Sequence, residues 1–173
     1  CIRDRYANGY FPGWLDVETL KPTEFLNDSP ESSMSVTFLF KLYEITGKKE
    51  YKDAALKGMH AVKSIIPEGR WEDFETYWSC CRIGTPDFIG KKIPRNNMYK
   101  QCNFSMFWTA EALFECYRIT NDDEYLKLGQ RVLDELLMTQ ASWQPSYIYV
   151  NGIGGFGVMN LSLIHISEPT RPY

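Results

Sequence analysis

The densest cluster of reactive residue types lies in RWEDFETYWSCCR, Arg70–Arg82. It holds the acids Glu72, Asp73 and Glu75, the aromatics Trp71, Tyr77 and Trp78, two arginines and the vicinal pair Cys80-Cys81. Two carboxyl groups flanking a glycosidic bond can hydrolyse it: one donates a proton, the other acts as base or nucleophile, and their separation sets the stereochemical course. A tyrosine beside an arginine suits a different reaction. The phenolic oxygen removes a proton next to a carboxylate whose charge the guanidinium neutralises. Asp73, Glu75, Tyr77 and Arg82 are therefore the candidate catalytic set for either scheme, and Trp71 and Trp78 offer flat apolar faces on which a sugar ring can stack. The same composition also has a plainer reading, in which acids pair with arginines and the tryptophans fill space.

Other stretches add candidates for substrate binding. GYFPGWLD contributes Trp14 and Asp16, and KIPRNNMYKQCN contributes Arg95, Asn96, Asn97, Tyr99 and Gln101, a polar run suited to sugar hydroxyls. Capping of the helix that follows accounts for part of that run. NGIGGFGVMN, Asn151–Asn160, is rich in glycine but lacks the Lys-Ser/Thr ending of a phosphate loop, so it reads as a cleft loop. Cys80, Cys81 and Cys102 invite a zinc reading, yet adjacent cysteines ligate one ion only on a bent backbone; the expectation is free thiols, with no metal and no cofactor. His60 lies mid-helix beside Met59, away from the loop face, which disfavours a Ser/His/Asp triad.

A repeat supplies the elements that would position these residues. LFKLYEITGKKEY, Leu39–Tyr51, and LFECYRITNDDEY, Leu113–Tyr125, match at seven of thirteen positions with a constant offset of 74. Before each turn, apolar residues recur at helical spacing: Val36, Leu39, Phe40 and Tyr43, then Phe107, Ala110, Phe114 and Tyr117. After it come Tyr51, Ala55, Met59, Val62 and Ile66, then Tyr125, Leu128, Val132 and Leu136. Gly47 aligns with Asn121, the two residue types that best tolerate a left-handed helix end. Asp122 or Asp123 is placed to cap the next helix, as Asn103 and Ser29-Pro30-Glu31 are for others. The expectation is an all-α fold of two helical hairpins, about 30–66 and 104–140. The start of the first helix and the end of the second share one end of a hairpin. The long segments 67–102 and 140–160 should therefore gather there, on a rigid scaffold's loop face.

Composition excludes some classes. The net charge is −3 with no basic stripe, which disfavours nucleic acid, and no apolar run is long enough to span a bilayer. Five cysteines at irregular spacing do not describe a disulfide framework. Aromatic residues make up 15% of the chain, a content that suits sugar clefts and packed cores alike.

The hairpins LYEITGKKEYKDAALKGM and CYRITNDDEYLKLGQRVLDELL resemble units of the α/α-toroid enzymes, the six-hairpin glycosidase-like superfamily, and of related polysaccharide lyases with incomplete toroids. The resemblance implies an incomplete toroid over residues 1–160 with a carbohydrate cleft on the long-loop face. It implies a carbohydrate substrate, glycoside hydrolysis ahead of uronate elimination, and a periplasmic or secreted location. A non-catalytic helical-repeat binding module is the rival class, but its connections would be short and uniform. The toroid β-L-arabinofuranosidases place a vicinal cysteine pair around zinc; the order and neighbours of that motif do not match here.

LSLIHISEPTRPY, Leu161–Tyr173, resembles a translated sequencing adapter in its first eleven residues and is set aside as non-native. With Cys1 at the front, the expectation is an internal fragment, inactive by itself. Helix faces built for absent neighbours would be bare, which predicts poor solubility.

Overall fold

The structure is a computed structural model that describes residues 8–12, 15–22, 30–64, 66, 92–93, 98–99, 103–144, 146 and 152–156. Four helices dominate: α1 (Ser32–Thr46), α2 (Lys49–Lys63), α3 (Asn103–Thr120) and α4 (Asp123–Leu137). Two two-residue strands, β1 (Lys92–Ile93) and β2 (Met98–Tyr99), pair antiparallel with Lys92 opposite Tyr99. The class is all-α, as the 3.6-residue patterning indicates. A ladder of two residue pairs leaves no periodicity to read, so the segment 67–102 gave no sign of it.

Both hairpin turns follow from local chemistry. Gly47 ends α1 at φ 68°, its N–H donating to the Tyr43 carbonyl, and Asn121 ends α3 at φ 58° with its N–H on the Tyr117 carbonyl. Asp122 caps α4 by accepting from the Glu124 N–H at 3.0 Å, while Lys48 at the start of α2 offers no such oxygen. The regular part of α1 begins at Ser32, with Pro30 and Glu31 in the turn before it. There the Ser33 N–H donates to the Pro30 carbonyl, so the first orphan donors are satisfied by backbone.

The core is shared between the hairpins. Val36, Leu39, Phe40, Met59, Val62, Met106, Leu113, Cys116 and Val132 are buried together. α1 and α3 run parallel: Ser33 meets Thr109, Lys41 meets Glu115 and Glu44 meets Arg118. The Ser33 and Thr109 hydroxyls bond each other at 3.1 Å, which satisfies two polar groups in a buried seam. Lys63 in the last turn of α2 pairs with Glu124 at 2.5 Å and lies 5.8 Å from the centre of the Tyr125 ring, in the first turn of α4. That contact joins the end of one helix to the start of the other, so α2 lies obliquely across the pair. It also sets a cation at a helix C-terminus against an acid at an N-terminus, as the dipoles favour.

The segment at Asn8–Pro12 seats on hairpin one at the end where α1 begins. The Tyr10 hydroxyl donates to the Ala61 carbonyl at 2.8 Å and the Phe11 N–H donates to Ser32 Oγ at 2.9 Å. Gly58 makes room for it: a Cβ there would stand 3.0 Å from both the Phe11 ring and Val36. Among the described residues no helix is long and apolar enough to cross a membrane.

One stripe behaves differently from its pattern. Phe107 and Phe114, which share helical spacing with Ala110 and Tyr117, are 49% and 50% exposed. The buried face of α3 is instead Met106, Ala110, Leu113 and Cys116. α3 is apolar on more than one side, and only the sides toward α1, α2 and α4 find neighbours within the described residues.

Candidate functional site

The proposed reactive set, Asp73, Glu75, Tyr77 and Arg82, lies outside the described residues, as do Trp14, Trp71, Trp78, Arg95, Asn97 and Gln101. Tyr99 is placed by its backbone, in β2, directly across from Lys92. Arg95 and Asn97 fall in sequence between the two strands. The cysteine trio Cys80, Cys81 and Cys102 and the tail 161–173 are likewise outside the described residues.

The described residues do show what surrounds the end of the bundle where α1 and α3 begin. In the first turns of α3, Phe104 and Trp108 stack with ring centroids 5.7 Å apart and planes 15° from parallel. Phe104 is 46% exposed, and its i, i+4 spacing to Trp108 puts both rings on one helix face. The repeat offset makes Met34, itself exposed on α1, the counterpart of Trp108. This open apolar ledge suits the face of a sugar ring better than a charged group. The signal was available in NFSMFWTA, where Phe104 and Trp108 stand at helical spacing; Asn103 opens the helix as its first residue, and its Oδ1 accepts no capping hydrogen bond.

Further along the same pair of helices the chemistry becomes ionic. Lys41 Nζ donates to Glu115 Oε1 at 3.0 Å, Arg118 Nε donates to Glu115 Oε2 at 3.0 Å, and Arg118 also pairs with Glu44. Lys41 lies 3.5 Å from Glu44 as well, closing a quartet. The hydrogen bond to Glu115 is the main cause that raises both the Lys41 and Arg118 pKa above their ordinary values. With a cation on each of its oxygens, Glu115 is a clamp between the hairpins rather than an acid or base waiting for substrate.

Other polar candidates resolve into structural roles. The Asp16 carboxylate accepts from the Thr19 side chain and the Thr19 N–H, both at 2.7 Å, and those bonds hold its pKa below the usual carboxylate value. It pins an exposed turn. In the glycine-rich run, the Gly152 N–H donates to Gln144 Oε1, Gly154 to the Ala141 carbonyl and Gly155 to the Gly152 carbonyl. Those three donors are spent inside the chain; Asn151 and 157–160 lie outside the described residues. His60 is exposed on α2. Burial pushes the Cys116 thiol up to about 12, which removes it as a nucleophile at neutral pH. Among the described residues, no group of three or more His, Cys, Asp or Glu is arranged to hold a metal ion.

A groove of about 230 Å³ also opens on the outer side of hairpin two, lined by Phe107, Ala110, Phe114, Leu126, Gly129 and Leu133. It carries almost no polar surface, so it suits packing rather than chemistry.

No protein-family model matches the sequence, and no curated protein matches it. Among solved structures, the chain is similar to a polysaccharide lyase at 19% identity with a TM-score of 0.41, over 64% of this chain and 14% of the lyase. The chain thus spans about a seventh of the length of that protein. The all-α class rests on the helices themselves and not on this likeness.

Proposed function

We propose that the chain is part of a carbohydrate-active enzyme, in which the two hairpins are units of an (α/α) toroid over residues 1–160. The observation that carries this reading is the Phe104–Trp108 stack at the start of α3. It stands directly after the segment 67–102, which contains RWEDFETYWSCCR. Sugar binding and acid/base cleavage need an aromatic platform and paired acids together, and the sequence supplies the acids shortly before the helix that carries the ledge. In this reading Asp73 and Glu75 supply the proton donor and second carboxylate of a glycoside hydrolase. Trp14, Trp71, Trp78, Arg95, Asn97, Tyr99 and Gln101 hold the saccharide.

A second reading uses the same scaffold for uronate elimination. Tyr77 then removes the proton beside the uronate carboxylate and Arg82 neutralises that carboxylate.

Affinity electrophoresis of the full chain through gels containing neutral or uronate polysaccharides tests the binding claim. Retardation by at least one polysaccharide, lost in Trp108→Ala, is the expected result; equal mobility in every gel overturns it. For cleavage, new reducing ends without ultraviolet absorbance mark hydrolysis. Reducing ends accompanied by the absorbance of an unsaturated uronate mark elimination.

A further inference from the structure

The face of α3 that bears the aromatic ledge also bears two carboxylates. Phe104, Trp108, Glu111 and Glu115 follow one another at intervals of four, three and four residues, which lines them up along one side of the helix. The two acids stand in opposite circumstances. Glu115 is buried and holds a cation on each oxygen, Lys41 on one and Arg118 on the other. Glu111, one turn nearer the ledge, is exposed and makes no hydrogen bond or ion pair among the described residues. It also borders the groove beside Phe107 and Phe114, apolar neighbours that offer its carboxylate no partner.

The cations of this helix pair are already committed. α1 has no Lys or Arg before Lys41 and α3 has none before Arg118, and both of these are bound to Glu115. Glu44, the remaining acid of α1, is paired with Arg118. Among the charges carried by α1 and α3, Glu111 is therefore the one left without a counter-charge, and it stands three residues from Trp108. We propose that Glu111 selects the saccharide: it accepts hydrogen bonds from the hydroxyls of an uncharged sugar ring stacked on Phe104 and Trp108, and it rejects a uronate at the same place.

The chemistry of the two groups carries the selection. An ionised carboxylate only accepts hydrogen bonds, and the hydroxyls around the edge of a neutral sugar are donors that match it. A uronate ring brings a second carboxylate, which has no proton to give and meets a like charge. Stacking alone would not separate the two, because both rings offer the same apolar face. Ledge and acceptor sit on one regular helix, so their spacing is fixed by the backbone rather than by a loop. This inference rests on the carbohydrate-active reading and deepens it: a site built this way takes the neutral substrate of hydrolysis rather than the uronate of elimination.

Affinity electrophoresis of the full chain at low ionic strength, through gels containing a neutral glucan, a neutral mannan, polygalacturonate or alginate, provides the test. The wild type should be retarded by a neutral polymer and by neither polyuronate. Glu111→Ala should weaken the neutral interaction about tenfold while helical circular dichroism is retained. Because the chain carries a net charge of −3, its indifference to polyanions needs a control that keeps the charge change and moves its place. Glu111→Lys should admit a polyuronate, whereas Asp53→Lys, an equal change on exposed α2, should not. Retardation of the wild type by a polyuronate overturns the proposal and leaves the carbohydrate-active reading standing. So does a Glu111→Ala chain that binds the neutral polymer as well as the wild type, or an equal gain of polyuronate binding in both lysine variants. A wild type that no polymer retards overturns the functional reading and this inference with it.

Discussion

Phe40 and Phe114 hold the same place in two copies of one repeat, yet Phe40 is fully buried and Phe114 is half exposed. Their helices share sequence, turn chemistry and length class. What differs is the neighbour. α3 and the Asn8–Pro12 segment close over hairpin one, while the corresponding side of hairpin two is the open groove. Helix formation is decided locally, but the value of an apolar side chain is decided by what comes to rest on it.

The sharpest way to break this comparison is to truncate both phenylalanines. Phe40→Ala should cost about 3–5 kcal/mol, because it empties a packed site, and Phe114→Ala about 1 kcal/mol or less. Urea unfolding followed by circular dichroism reads both; equal losses would mean the two hairpins are packed alike.

Next comes Cys116, whose repeat counterpart is the half-buried Leu42. The folded thiol keeps its proton to about 12, whereas an unfolded thiol loses it near 9.0. Between those values the unfolded state binds fewer protons, so stability falls as pH rises through the window. The alkaline decline of the urea midpoint should be steeper in the wild type than in Cys116→Ala, and equal slopes would remove burial as the cause.

The turns give a smaller contrast. Gly47 is left-handed with no atom within 4 Å of a built Cβ, so Gly47→Ala pays only for backbone conformation, about 1–2 kcal/mol. At the other turn, Asn121→Gly should change stability by less than about 0.5 kcal/mol, since the side chain there already accepts that conformation. Thermal melts of the two variants check the difference.

The caps give the last contrast. Asp122→Ala should lose about 1 kcal/mol, and Lys48→Asp should gain roughly 0.5–1 kcal/mol by giving α2 the cap that α4 has. A destabilised Lys48→Asp would show that the two helix starts are not equivalent.

Much of the scaffold was legible in the residues. The Gly47 and Asn121 turns, the Asp122 cap and the stripe Ala55, Met59 and Val62 all stand where spacing and side-chain chemistry put them. Pro30 and Glu31 stand in the turn before the regular helix, which opens at Ser32 with Glu31 at the cap position and no side-chain cap bond, while the expected cap Ser29 lies outside the described residues. The Phe104–Trp108 ledge was passed over because aromatic residues on an apolar helix are as easily core as surface. The quartet of Lys41, Glu44, Glu115 and Arg118 could not be read from any one helix, since its members are 74 residues apart in pairs.

The sequence by itself determined the local events: where each helix turns, which residue caps it, and that two hairpins share one pattern. Those depend on backbone sterics and on hydrogen bonds between residues a few positions apart, which the order of side chains specifies directly. Only the tertiary structure decided which of α3's apolar sides is core, which carboxylate is clamped between hairpins, and which groove is left open. Each of those depends on surfaces brought together from distant parts of the chain, and the same phenylalanine is core or ledge according to whether a helix lies across it.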